Sequence, residues 1–460
     1  MSSNNALDQY LELYEAQREA IDTRAPEALN RLRPAALEAL REAGRLPRKG
    51  DEGYARTDVD AMFAPDYGIN IMRVPSPVDV AASLRCDVPN ISTLMGVVAG
   101  DEFRPTASLL RNLPAGVTLC TLSQAQKQMP RVLDRYLGRL SAAAATDTAA
   151  QLNTLLAQDG VLLHVASGVE CEKPLQLVNI FNAGVPSLAP RRVLVVLEAG
   201  ASARLLVCDH SQRDDVDYLA DAVTEIFLEE GARLDYYNLE ESTPRTRRAA
   251  SLFASLGADA RISINATTLQ GGTTRNNCTI DLNAPGAEAS VAGMVTGSDT
   301  QHTDNYTLVR HHAPRCNSTQ LFKYILDDDA SGAFEGLIQV DHGAAFTEAF
   351  QTNRNLLASD RATMHTQPQL EIYCDEVKCG HGATTGQLDA RALFYMRSRG
   401  IPEAEARKML MEAFMADVID TITLPSLHER LRMLVERRLS GDRRGCGDCS
   451  ASCPTPAIVK

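Results

Sequence analysis

The 460-residue chain has no tryptophan, and aromatic residues make up only 5% of it. Its most telling absences are motifs. It has no Gly-x-x-x-x-Gly-Lys-Ser/Thr loop, so any nucleotide hydrolysis must come from a partner. It has no Gly-x-Ser-x-Gly elbow and no His-Glu-x-x-His pair, which removes the common serine-hydrolase and zinc-protease readings. No apolar run is long enough to span a bilayer. The opening MSSNNALDQYLELYEAQ lacks a basic segment followed by an apolar core, so no secretory leader is expected and the cytosol is the expected compartment.

Positive charge is also short. Lys and Arg number 46 against 59 Asp and Glu, for a net charge of -13. An acidic surface disfavours nucleic acid and anionic membranes as partners, because both need a basic footprint. The 11 cysteines are an odd count in an acidic chain without a leader. They read as thiols of a reducing compartment, some of them candidate metal ligands, rather than as a disulfide framework. Isolated ones such as Cys86, Cys120 and Cys208 read as small buried apolar side chains. The hydrophobic share of 44% is ordinary for a globular chain with a large core.

The apolar period changes twice along the chain. Leu7, Leu11 and Tyr14 fall at helical spacing, as do Ala36, Leu37, Leu40 and Ala43, with Gly44 and Pro47 as stop signals. A second helical stretch is expected at 130–158, where Val132, Leu133, Tyr136, Leu137 and Leu140 share a face and Leu152, Leu155 and Leu156 continue it. Asp159-Gly160 ends it as a turn. Beyond Gly160 the period falls to two. VLLHVASG, LQLVNIF, RRVLVVLEAG, ARLLVC, VTEIFLEEG and RISINATTL are short runs rich in β-branched residues, most bounded by Gly, Asp, Asn or Pro. No long amphipathic helix separates them, which argues against alternating β-α units.

A degenerate repeat runs through these strands. Gly-Ala steps followed by alternating residues occur at Gly200-Ala201, Gly231-Ala232, Gly257-Ala258, Gly286-Ala287, Gly332-Ala333 and Gly343-Ala344. The early copies recur at roughly 25–30 residues, within the range of solenoid repeats. One coil per repeat is expected, with Gly at the corner and small Ala beside it. A single coil cannot bury its face alone, so stacked coils share one core. From about Leu388 the helical period returns. Ile401-Pro402-Glu403 is a helix start with Pro at the first position. Ala406, Leu410, Phe414, Val418 and Ile422 form one stripe, and Leu427, Leu431, Leu434 and Val435 another, separated by Pro425. The expected organisation is a helical region with short connecting segments at 1–158, a β-solenoid at 159–387, a helical domain at 388–440 and a flexible cysteine-rich tail at 441–460.

Three constellations could carry chemistry. EIYCDEVKCGHGATTG holds Cys374, Asp375, Glu376, Cys379 and His381. In an extended strand Cys379 and His381 face the same way. Thiolate and imidazole are donors suited to zinc, iron or an iron–sulfur centre. On these residues alone, a structural thiol with a polar turn ranks ahead of a metal site. RHHAPRCNSTQLFK holds His311, His312 and Cys316, read as a hydrogen-bonded solenoid turn ahead of a metal site. The tail spacing Cys446-x2-Cys449-x3-Cys453-Pro454 resembles part of a ferredoxin run, which usually needs a fourth thiolate. These tail thiols are either a relay borrowing a ligand or simple exposed thiols. Asp327-Asp328-Asp329 is the one acidic run of the solenoid, read as a solvated turn rather than the acidic groove a β-helix carbohydrate-active enzyme needs.

The stretch from His302 to Ile401 resembles the shared core of the SufB/SufD family of iron–sulfur cluster assembly proteins. The matching segments are His312-Ala313-Pro314, CNSTQLFK (Cys316–Lys323), Gly332-Ala333-Phe334-Glu335-Gly336, QTNRNLL (Gln351–Leu357), PQLEI (Pro368–Ile372), DEVKCGHG (Asp375–Gly382) and FYMRSRGI (Phe394–Ile401). Upstream, DGVLLHVASGVECEKPLQLVNIF resembles the family's entry into its β-helix. RLPRKGDEGYARTDVDAMF resembles the N-terminal segment of the SufD branch, which the length also favours. The chain departs from the family at Gly380, where Ser is common, at Cys374, where Ala is common, and in its cysteine tail.

The resemblance implies a mainly β fold, a right-handed parallel β-helix flanked by N- and C-terminal α-helical domains. It implies a non-catalytic scaffold that pairs with SufB and contacts the ATPase SufC through its C-terminal helices. Phe394, Tyr395, Arg399, Leu410, Phe414 and Val418 are the candidate SufC contacts. A transient iron–sulfur cluster is expected at the SufB–SufD interface, with His381 as ligand and Cys379 as ligand, sulfur relay or structural neighbour. Cys374, Cys446, Cys449 and Cys453 are further candidates for handling metal or sulfur. Exposed edge strands make a homodimer plausible in the absence of SufB. A metal-free adaptor is the competing reading.

Overall fold

The computed structural model describes residues 5–80 and 92–441. Its centre is a parallel β-solenoid, mainly of strands, with helices at both ends of the chain. Successive strands alternate between two ten-stranded sheets. Tyr218–Leu228 pairs in parallel with Thr246–Leu256 in one sheet, and Arg233–Glu241 pairs in parallel with Arg261–Gln270 in the other. The coil length follows from register, with Arg233 beside Arg261, Arg261 beside Glu288 and Glu288 beside Asn317.

Corners repeat because two requirements recur. The chain must turn through a left-handed φ, and the next residue must be small enough to tuck inside. Gly200, Gly231, Asp259, Gly286, Arg315 and Phe346 all have positive φ. Ala201, Ala232, Ala260, Ala287, Cys316 and Thr347 follow them, and all six are buried. The expected repeat is therefore present, but its phase is corrected at three places. Gly257-Ala258 lies two residues early, because Asp259 takes the left-handed position, which Asp tolerates. Gly332-Ala333 lies inside the strand Ser331–Val340 of the opposite sheet. Gly343-Ala344 belongs to a longer corner that ends at Phe346.

Inward residues stack in columns along the coils. Val195, Ile226, Ala254, Ile280, Val309, Ile338 and Leu370 follow one another in register. All but the last are buried. Each aliphatic side chain taken fully from water in such a column contributes about 1.5–3 kcal/mol.

The helices cover the outer faces. Ala6–Arg24 and Arg33–Ala43 form as their spacing predicts, and Gly44 ends the second with φ 68°. The helical stretch expected at 130–158 consists of three helices: Pro130–Tyr136, Arg139–Ala143 and Thr148–Leu156. Gly138, at φ 74°, breaks the first from the second, and an added Cβ there would collide with Leu32. Asp147 caps the third through the Ala150 N–H. The helix Thr148–Leu156 packs with Leu188, Leu219 and Ala249 on the outside of one sheet.

Four strands also lie where only helices and connections were expected, the shortest being Gly68–Ile69, which pairs in parallel with Ser187 and Leu188. Leu94–Ala99 pairs in parallel with Leu175–Phe181, and Glu102–Pro105 pairs with it from the other side. Val117–Thr121 pairs antiparallel with Val161–Val165. LMGVVA and VTLCT are short, and the helical segments around them dominate the local period.

At the other end, Ala390–Ser398, Glu403–Ile419 and Pro425–Leu439 are helices, with Pro402 at the N-cap rather than the first helical position. Met415, Val418, Ile419, Leu427 and Leu431 pack with Leu206, Leu239, Met294 and Ile325 on the outside of the second sheet. Among the described residues no helix is long and apolar enough to cross a membrane.

Candidate functional site at the open end of the solenoid

The strands Thr363–Ile372 and Val377–Gly386 are the last of their sheets, each paired on one side only. In the second, Cys379 stands in register with Ala349 and His381 with Gln351. Both of those partners are buried. Parallel partners in register point to the same face, so Cys379 and His381 both face the solenoid interior. The shared direction expected from their spacing is thus observed. Lys378, just before Cys379, points outward and pairs with Glu348 at 2.7 Å.

The two side chains differ in surroundings. Cys379 packs with Ile338, Val340, Ala344, Ala349 and Leu370, and burial pushes its thiol pKa up. The Ala349 N–H partly offsets that rise. Cys374 sits between the last two strands, half-buried in the same cluster. His381 is exposed, because no further coil of the described chain covers it. Among the described residues, no three His, Cys, Asp or Glu side chains gather into a group that could hold a metal ion.

The second constellation does not converge. His311 points inward, fully buried, with Nε2 2.9 Å from Ser318 Oγ. His312 points outward between Asp341, at 2.6 Å, and Asp281, at 3.3 Å. Cys316 is the small residue of a corner, and its thiol donates to the Ala284 carbonyl at 3.3 Å. This is the hydrogen-bonded turn that the sequence reading favoured. The acidic run is likewise a corner. Asp328 has φ 51°, and Asp329 pairs with Arg361 at 2.8 Å. Cys120 and Cys208 are buried, as expected of isolated thiols. Cys86, Cys446, Cys449 and Cys453 lie outside the described residues.

The helix residues expected to meet an ATPase split into two groups. Phe394 is 74% exposed and Tyr395 58%, and Arg399 is exposed over the Tyr395 ring. Leu410 and Phe414 are half-buried, and Phe414 carries the Lys323 ammonium 4.8 Å from its ring centre. Val418 is fully buried against the solenoid. Its position in the stripe serves the helix–solenoid contact, so it has no surface to offer a partner.

Sequence reading missed a polar line inside the solenoid. Gln320, Gln351 and His381 follow one another in register on successive coils. Thr307 Oγ1 donates to Gln320 Oε1 at 2.7 Å, and Gln351 Nε2 donates to the same oxygen at 3.1 Å. A two-residue period assigns polar residues to the outer face, so it cannot reveal an inward glutamine. The only available signal was that Gln320 and Gln351 fall inside the segments CNSTQLFK and QTNRNLL.

Comparison with known proteins covers nearly the whole chain. The SUF-system FeS cluster assembly SufBD core domain matches residues 180–414, and the SufBD N-terminal region matches residues 4–177. The iron–sulfur cluster assembly protein SufD of Escherichia coli is 28% identical over 449 residues, covering 96% of this chain and 99% of that protein. The protein of the same name from Bacillus subtilis is 26% identical, covering 88% and 93%. An iron–sulfur cluster assembly SufBD family protein of Synechocystis is 28% identical over 404 residues, covering 86% and 88%.

Proposed function

This chain belongs to the SufBD family of the SUF iron–sulfur cluster assembly system, and on that premise we propose that it is a SufD-like scaffold subunit that turns over no substrate itself. It works in the cytosol, pairs with SufB at the open end of its solenoid and engages the ATPase SufC through its C-terminal helices. The carrying observation is the last strand, Val377–Gly386, which has one free edge and presents Cys379 and His381 inward at that end. Free backbone N–H and C=O groups at an edge pair readily with another chain, so without SufB a second copy takes the same place.

The cluster is cargo, assembled between the two subunits and then passed on. An iron–sulfur cluster commonly takes four protein ligands. Among the described residues, His381, Cys379 and Cys374 do not gather into a group that could hold a metal ion alone. That incompleteness fits a shared site, with SufB supplying the remaining thiolate chemistry. His381 suits ligation because it is exposed at the open end of the solenoid. Cys379 suits it less, because burial in the apolar end cluster favours its protonated form. Phe394, Tyr395 and Arg399, exposed together, support the SufC contact.

The test is anaerobic co-expression with SufB and SufC, followed by iron and sulfide analysis of the purified complex. The wild-type complex is expected to carry both, and the His381→Ala complex to assemble while carrying neither. Equal iron and sulfide in the two would make the chain a metal-free adaptor.

A further inference from the structure

The interior line beneath His381 ends in an unused acceptor. Gln351 is 1% exposed, and its Nε2 is committed downward, to Gln320 on the preceding coil. The oxygen and nitrogen of a primary amide diverge from one carbon, so the oxygen needs a donor of its own. With Nε2 turned toward Gln320, Oε1 is left for a donor other than Gln320, and His381 is the residue that follows in register on the next coil. That oxygen is buried and has no hydrogen-bond partner among the described residues. A buried carbonyl without a donor costs about 1–3 kcal/mol. The amide is also held sideways. Gly336 leaves room for it, and an added Cβ there would collide with Nε2 of Gln351. Thr307 fixes Gln320 from the other sheet, so the line is anchored at its base.

His381 supplies the one feature this arrangement lacks. A neutral imidazole has one N–H donor and one lone pair, and the partner of the N–H decides which nitrogen keeps the lone pair. We propose that Gln351 is the positioning residue for His381: when the exposed ring turns down onto the unpartnered Oε1, that oxygen accepts the ring N–H and leaves the other ring nitrogen, lone pair exposed, facing out of the open end. The relation is that of an outer-shell acceptor to a metal-binding histidine, which fixes tautomer and ring direction before any metal arrives. This rests on the reading of His381 as a ligand, but it concerns the ring alone and does not need iron to be seen.

The experiment is two-bond 1H–15N correlation of the 15N-histidine-labelled full chain at pH 8, with the His381 signal assigned by its loss in His381→Ala. The wild-type ring is expected in one tautomer. Gln351→Leu keeps the bulk and removes the acceptor, and the tautomer ratio is expected to move about fivefold toward that of free imidazole, the equivalent of one ordinary hydrogen bond. Gln351→Asn keeps an amide but shortens it by one methylene, and the same shift is expected; it guards against a leucine variant that fails to fold. An unchanged ratio in either folded variant overturns the proposal. Iron and sulfide yields report separately on His381. If His381→Ala abolishes them while the Gln351 variants leave the ring unaltered, the positioning role alone fails. If the ring responds while His381→Ala keeps full iron, the ligand reading alone fails.

Discussion

Lys323 reaches out of the solenoid to Asp417 on the helix Glu403–Ile419, Nζ to Oδ2, at 2.5 Å. The same ammonium donates to the Phe414 carbonyl at 2.7 Å and lies over the Phe414 ring. It is the polar pin of an otherwise apolar contact between the C-terminal helices and the second sheet. Its two ends are unequal, because the lysine side chain is 3% exposed and the aspartate 58%. Lys323→Ala strips a buried donor from a carbonyl and leaves a cavity, and is expected to cost about 2–3 kcal/mol. Asp417→Ala leaves the buried ammonium without its counter-charge but opens its exposed side to water, and is expected to cost less, about 1–2 kcal/mol. Urea unfolding of the two variants measures the difference, and early protease cleavage before Ala390 in Lys323→Ala locates it.

A second ion pair has no solvated end. Arg192 and Glu225 are both fully buried between the solenoid and the N-terminal helices, 3.0 Å apart. Glu225 also accepts from the Gly138, Leu140 and Ser141 N–H groups, at 2.8, 2.9 and 3.0 Å, and so caps the helix Arg139–Ala143. Removing Glu225 leaves the Arg192 charge buried and three N–H groups unpaired. Glu225→Ala is expected to lose about 3–5 kcal/mol, read as a lower denaturation midpoint.

Acid stability should depend on His311. Burial, with His312 adding to it, pushes its pKa down from 6.5 to about 4. Above pH 6.5 the ring is neutral in both folded and unfolded chains and costs nothing. As pH falls below 6.5 the unfolded ring takes up a proton that the folded ring refuses. Stability is therefore lost between pH 6.5 and 4, by about 3 kcal/mol in full. His311→Gln is expected to flatten the stability profile across that window, measured by thermal melts at stepped pH.

Thiol reactivity should sort by position in the fold. Burial pushes Cys208 and Cys278 up to about 12 and Cys120 up to about 11. The nucleophile is the thiolate, so at pH 8 these three are nearly inert. Cys374 and Cys379, half-buried at the solenoid end, should be carbamidomethylated at least tenfold faster by iodoacetamide, followed by peptide mass spectrometry. Addition of a partner that covers the end should protect both.

The sequence carried the solenoid because corner and strand obey local rules. A left-handed residue, a small residue and an alternating run recur wherever the chain turns, and the period change at Gly160 marks the first full coil. It failed where a substitute met the same rule, as Asp259 does in place of glycine. It failed again at Leu94–Ala99 and Val117–Thr121, whose runs are too short to outweigh adjacent helical spacing. Val418 shows the limit of reading a helix stripe. An apolar face predicts burial, and here the solenoid buries it before any partner can. The shared direction of Cys379 and His381 was legible from strand geometry alone. The glutamine line beneath them was not, because it depends on which residues three distant segments bring into register.

The central claim is that a His381 ring nitrogen binds iron of a nascent cluster. Pulsed electron paramagnetic resonance tests it directly, on the anaerobic complex with SufB and SufC, reduced to a paramagnetic state, with 15N-histidine placed only in this chain. A 15N coupling to the cluster is predicted in wild type, and its loss in His381→Ala. A paramagnetic cluster with no 15N coupling, or one whose coupling survives His381→Ala, would contradict the account.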